Sequence, residues 1–157
     1  MPKPSQPLVA ECATWLSIVS QLFGNRMGVL LEPHGLTLGQ FSILHHVVRQ
    51  PSDRLHRVSD IAAAVEVGQP AVTKALAKFQ VMGLVELEAS AKDKRSKFVK
   101  ATPAASQLLG RIYQDIGPDL AQTFAAVDAE AMAGFLEQLK KLGGWLDANR
   151  LGSKPAA

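Results

Sequence analysis

Cysteine is almost absent from this sequence: Cys12 is the only one in 157 residues. No intrachain disulfide can form, so the fold must rest on packing, and a reducing intracellular compartment is the natural expectation. Aromatic residues are also few, at 6%. A core with so few rings is built mainly from Ala, Leu and Val, which favours helices. Long apolar runs are missing as well. Each hydrophobic segment is interrupted by polar residues before the ~20 that a membrane span requires. The opening stretch MPKPSQPLVAEC has no long apolar segment behind a basic start, so no leader is expected. A soluble cytoplasmic protein without a membrane partner is the expectation.

Catalytic patterns are absent too. No nucleophile stands with its base, no glycine loop is built to hold phosphate, and no paired carboxylates have telling spacing. The histidines are His34, His45, His46 and His56. His45 and His46 are adjacent, so on a helix they point ~100° apart and do not easily share one ion. Neither an enzyme nor a metal or other cofactor is expected.

What the chain does have is apolar content and an uneven charge. Hydrophobic residues make up 47% and charged residues 20%, which suits a packed domain rather than disorder. The net charge is +3. Residues 36–101 hold ten Lys/Arg and six Asp/Glu, whereas the rest holds seven and eight. The basic surplus therefore sits in the middle, where it attracts polyanions or simply forms a solvated surface.

Periodicity orders the elements. Residues 1–7, with three prolines, read as a loose arm. From Leu8 to Leu31 apolar residues recur on two stripes: Val9, Cys12, Leu16, Val19, Phe23, Met27 and Leu30, and Trp15, Ile18, Leu22 and Val29. A helix apolar on two faces is buried on two sides. Pro33-His34-Gly35 breaks it. Thr37 followed by Gln40 predicts a capping box for a helix to about Arg49, with Leu38, Phe41, Leu44 and Val48 inward. After the Pro51-Ser52-Asp53 loop comes a short helix with Ile61, Ala62 and Val65 inward. Glu66-Val67-Gly68 is a tight connection. The next helix starts near Gln69, takes Pro70 in its first turn, buries Val72, Leu76 and Phe79, and ends at Gly83. Leu84–Ala89 and Phe98–Ala101 are short strands flanking the charged stretch Ser90–Lys97, so a hairpin with a basic tip is expected. Thr102-Pro103 opens another helix, with Leu108, Ile112, Ile116, Leu120, Phe124 and Val127 in one stripe. A kink or short break is expected at Gly117-Pro118. Asp128 is the expected cap of a last helix with Met132, Phe135, Leu139, Leu142 and Leu146 inward.

The fold class is thus mainly α with a small β-hairpin: a winged helix-turn-helix lobe over 36–101 and a helical dimerisation region over 8–35 and 102–150. In such a lobe the second helix of the pair enters the major groove with its N-terminal half against base edges. With Val72, Leu76 and Phe79 inward, the outward residues are Gln69, Pro70, Ala71, Thr73, Lys74, Ala77 and Lys78. Gln69 suits adenine, and Thr73 and Lys74 suit bases or phosphates.

Here the sequence resembles the MarR (multiple antibiotic resistance regulator) family, over roughly residues 8–150. The motifs run in order at matching spacing: Ile61-Ala62, then Val72-Thr73-Lys74, then Gly83-Leu84-Val85, then Asp93, Arg95, Ser96 and Lys97, then Val99, Ala101 and Thr102. By that resemblance Lys92, Asp93, Lys94, Arg95, Ser96 and Lys97 form the tip of the wing, with Asp93 stiffening Arg95, the minor-groove reader. An Arg on a narrow tip fits the negative potential of that groove. Two positions depart from the pattern. Leu87 stands where Arg is frequent, so a contact is missing or Leu87 packs inward. Gly68 stands where Ser is common and caps the helix with less benefit.

The resemblance implies a homodimer whose recognition helices meet successive major grooves of a pseudo-palindromic double-stranded operator. It implies a repressor released by a small-molecule effector, often an aromatic or phenolic acid. Trp15, Phe41, His45 and Tyr113 can line its pocket or can be ordinary core, with core preferred. Two alternatives stand beside this: a thiol switch at Cys12, for which a buried inert thiol is the favoured reading, and a winged-helix protein-interaction module that binds no DNA.

Overall fold

The computed structural model describes residues 5–50, 56–89 and 97–151. Contact clustering divides the chain into two units, residues 1–115 and 116–157.

The first unit opens with helix α1 (Gln6–Leu31). It begins earlier than the three prolines suggest, because Pro7 falls in the first turn, where the missing amide is not needed. A 3₁₀ turn (Glu32–His34) follows, and Gly35 ends it at φ +68°. Pro33 thus sits inside the expected break. Helix α2 (Leu38–Arg49) starts on the predicted capping box. The Gln40 amide donates to Thr37 Oγ1 at 3.2 Å, and the Thr37 amide donates to Gln40 Oε1 at 3.3 Å.

The buried face of α2 differs from the expected one. Ile43, Leu44 and Val47 are buried, whereas Leu38 is exposed and Phe41 and Val48 are half-buried. Two apolar rows lie side by side on this helix, and period alone does not choose between them. The choice falls to its neighbours: α2 packs on helices α3 (Val58–Val65) and α4 (Gln69–Val81). Ile61 and Ala62 of α3 and Val72, Ala75, Leu76 and Phe79 of α4 complete this core. Fully burying each large side chain contributes ~1.5–3 kcal/mol.

A two-residue strand, too short to be read in the sequence, precedes α3. Strand β1 (His56–Arg57) joins β2 (Val85–Ala89) and β3 (Lys97–Ala101) in an antiparallel sheet of order β1-β3-β2. The register pairs Val85 with Ala101 and Leu87 with Val99, so these lie on one face. Val85 and Val99 are buried there. Leu87 shares that face and is half-buried, so it packs inward. Glu86 opposes Lys100 on the other face, where opposite charges support the pairing.

Helix α5 (Pro103–Phe124) runs through Gly117-Pro118 without the short break that was one of the two expected outcomes. One lost amide leaves the other hydrogen bonds of a 22-residue helix in place. Ala105, Leu108, Leu109, Ile112 and Ile116 are buried. In the second unit, the Asp128 carboxylate accepts from the Glu130 and Ala131 amides at 2.8 and 3.2 Å. It closes a turn just ahead of helix α6 (Met132–Ala148) rather than standing at the cap itself. No residue of α6 is buried. Phe135, Leu139, Leu142 and Leu146, expected inward, are exposed. Among the described residues no helix is long and apolar enough to cross a membrane.

Candidate nucleic-acid interface

The presentation of α4 begins with the turn that precedes it. Helix α3 ends on Glu66 in the left-handed region at φ 52°, which reverses the chain within three residues. The Gly68 carbonyl then accepts from the Ala71 and Val72 amides at 2.9 and 3.1 Å, starting α4 without a side-chain cap. The first turn carries no acidic residue, so the positive end of the helix dipole is not offset there.

The buried row on α4 fixes what faces outward. Gln69, Pro70, Ala71, Thr73, Lys74 and Ala77 are all exposed, so the structure brings most of the expected reading residues onto one open face. Lys78 departs from that set. It is half-buried, and its Nζ donates to Gln40 Oε1 at 3.0 Å and to the Gly35 carbonyl. Its ammonium is turned back into the lobe, because two acceptors at the α1–α2 connection lie within its reach.

The far end of α4 closes on a Schellman motif. The Leu84 amide donates to the Phe79 carbonyl at 2.8 Å, and the Gly83 amide to that of Gln80 at 3.0 Å. Gly83 adopts φ +69° to allow this. The motif launches β2 directly from α4, so the start of the hairpin is set by that helix. On the outer face of the sheet the Arg57 guanidinium lies 5.9 Å above the Phe98 ring. Sequence reasoning missed Arg57; its only signal was a basic residue next to the short helix. Lys92, Asp93, Lys94, Arg95 and Ser96 lie outside the described residues, as does the side chain of Lys97.

The expected ligand residues divide. Phe41 stacks on His45 with ring centroids 5.9 Å apart, and Tyr113 meets both edge-on at 6.1 and 6.2 Å. Trp15 is not part of this cluster and is 58% exposed. Beside the cluster is an open cleft of about 520 Å³, lined by Phe41, His45, His46, Arg49 and residues at the end of α3. His46 and Arg49 were not foreseen as lining residues. Burial holds the His45 and His46 pKa values below the ordinary histidine value, and the Arg49 charge lowers His45 further. Cys12 is exposed on α1 rather than buried. Among the described residues no group of three or more His, Cys, Asp or Glu is placed to hold a metal.

Two short helices joined by a tight turn and followed by a β-hairpin make this a winged helix-turn-helix protein. Residues 34–96 match the model of the MarR family. The chain is also similar to solved structures. One is a cysteine-to-serine variant of MarR from E. coli complexed with operator DNA, at 22% identity, 89% of this chain and 99% of that one, with a TM-score of 0.68. Another is a MarR family regulator from Rhodococcus sp., at 18% identity, 88% and 96% coverage, and a TM-score of 0.73. A third is AbsC, a MarR family transcriptional regulator from Streptomyces coelicolor, at 19% identity, 95% and 100% coverage, and a TM-score of 0.69. At these identities the likeness establishes the fold.

Proposed function

We propose that this protein is a sequence-specific DNA-binding transcription regulator, working as a homodimeric repressor and not as an enzyme. The observation that carries this reading is the exposed row Gln69, Ala71, Thr73 and Lys74 on a helix held by its opposite face. Small side chains at Ala71 and Ala77 permit close approach to a groove, Gln69 suits adenine, and Lys74 suits phosphate. The wing tip, with Arg95 supported by Asp93, reads the adjacent minor groove. A relative of the same fold was crystallised on operator DNA, which favours the same use of the lobe here.

Residues 36–101 serve as the DNA-binding lobe, and 8–35 with 102–150 as the dimerisation region. The support is apolar surface left open in the single chain: Leu22 and Val29 of α1 are 64% and 69% exposed, and Trp145 of α6 is 62% exposed. Surfaces of this kind mark association sites. The effector is a small aromatic acid. The Phe41–His45–Tyr113 rings offer stacking, Arg49 offers positive charge in the adjoining cleft, and the His45 and His46 rings offer hydrogen bonds there. Binding there acts by favouring a spacing of the recognition helices that misses the grooves.

The test is selection of bound duplexes from a random DNA pool, followed by gel-shift titration. The expected product is a pseudo-palindrome bound by two chains and released by aromatic acids. Arg95→Ala is expected to weaken binding, and Lys74→Ala to weaken it with a smaller salt dependence. A protein with no salt-dependent affinity for any duplex at low ionic strength is instead a protein-interaction module.

A further inference from the structure

Lys74 and Lys78 lie one helical turn apart on α4, yet they differ in where they reach. Lys74 is exposed, whereas Lys78 is half-buried and committed to two acceptors outside its own helix. One acceptor is the carbonyl of Gly35, the left-handed residue that ends the 3₁₀ turn after α1. The other is Gln40 Oε1, which also accepts the Thr37 amide that starts α2. A single ammonium thus ties α4 to the end of one segment and the start of the next. Bonds from a charged donor are stronger than neutral ones, and partial burial limits competition from water.

We propose that Lys78 is a positioning residue: it latches the recognition helix to the α1–α2 connection and sets the angle at which Gln69, Thr73 and Lys74 are presented. This rests on the DNA-binding reading above. Gln69 lies nine residues from the latch, about 13 Å along the helix. A small tilt at Lys78 therefore becomes a displacement at the reading end large enough to break base contacts. Phosphate contacts, carried by flexible side chains, tolerate the same tilt. Because the connection descends directly from α1, the latch also carries any movement of α1 to the recognition helix.

The experiment compares Lys78→Met, Lys78→Arg and Lys74→Ala in the full chain. Affinity for a selected duplex and for an unrelated duplex is measured by fluorescence anisotropy across a salt series. Lys78→Met is expected to lower the specific-to-unrelated affinity ratio about tenfold, the loss of one good base contact, with the salt slope unchanged. Lys78→Arg, which keeps a donor, recovers most of the ratio. Lys74→Ala is expected to lower the slope by about 0.9 per protomer, as one lost phosphate contact does. Hydrogen exchange supplies a readout free of DNA: amides of Gly35, Thr37 and Gln40 exchange about fivefold faster in Lys78→Met, as loss of one hydrogen bond implies, and are unchanged in Lys74→Ala. A reduced salt slope in Lys78→Met makes Lys78 a phosphate contact and overturns the proposal, as does unaltered exchange. If the wild-type chain binds no duplex, the DNA reading fails, and the exchange result alone decides whether the latch exists.

Discussion

The Thr102 hydroxyl donates to the Gly83 carbonyl at 2.7 Å, joining the turn two residues before β2 to the residue after β3. The Thr102 amide also donates to the Leu84 carbonyl at 3.0 Å. The foot of the wing is therefore closed twice. The hydroxyl proton is directed to the Gly83 carbonyl, beside the Schellman turn that ends α4. Thr102→Val keeps the shape and removes this bond. It is expected to cost about 0.5–1.5 kcal/mol, read as a lower urea midpoint at constant slope, and Thr102→Ser is expected to retain most of it.

Gly83 makes a sharper case. Its φ of +69° lies where L side chains are strained, yet a Cβ added there meets no atom within 4 Å. Any cost of Gly83→Ala is backbone strain without a clash. The expected loss is about 1–2 kcal/mol, with Gly83→Asn losing less, since Asn tolerates the left-handed region. Equal stabilities of the two variants by urea unfolding would show that the turn has shifted.

His45 and His46 predict how stability varies with pH. Burial depresses both pKa values in the fold, with Arg49 adding to the effect at His45. In the unfolded chain each titrates near ~6.5. Below that pH the unfolded state binds protons that the folded state resists, so stability is complete above ~6.5 and is lost as pH falls through the folded values. His45→Gln and His46→Gln are each expected to flatten the fall in thermal midpoint between pH 7.5 and 5.5. An anionic ligand in the cleft favours the protonated rings, so its affinity is expected to rise over the same window, as calorimetry would show.

The apolar faces of α1 and α6 predict association. Leu22→Glu and Leu139→Glu each place a charge on a face that is open in the single chain. Either is expected to convert a dimer to monomer by sedimentation, with the helical content of the winged lobe retained. An unchanged sedimentation coefficient would remove that residue from the interface.

Several of these features are legible in the sequence because they are local. Thr37 and Gln40 are three residues apart, so their capping box needs no tertiary information. Gly83 marks a helix end because its backbone can turn left-handed. The charged stretch Ser90–Lys97 between the short extended segments Leu84–Ala89 and Phe98–Ala101 gives the hairpin. Strand β1 was not legible, since two residues carry no period and its pairing partner lies more than forty residues away. On α2 the expected Leu44 is buried, but Ile43 and Val47 were not legible, because Leu38, Phe41, Leu44 and Val48 also repeat at helical spacing.

The sequence by itself determined the order of the helices and the hairpin, the turn chemistry and the outward row led by Gln69. Each follows from propensity or spacing within a few residues. Tertiary structure alone decided where the side chains of that row go. Lys74 and Lys78 share a spacing and a charge, but only the packing of α4 against the α1–α2 connection brings the Gly35 carbonyl and Gln40 Oε1 within reach of Lys78. A long cationic side chain takes the nearest acceptors, and which acceptors are nearest is set by segments distant in the chain.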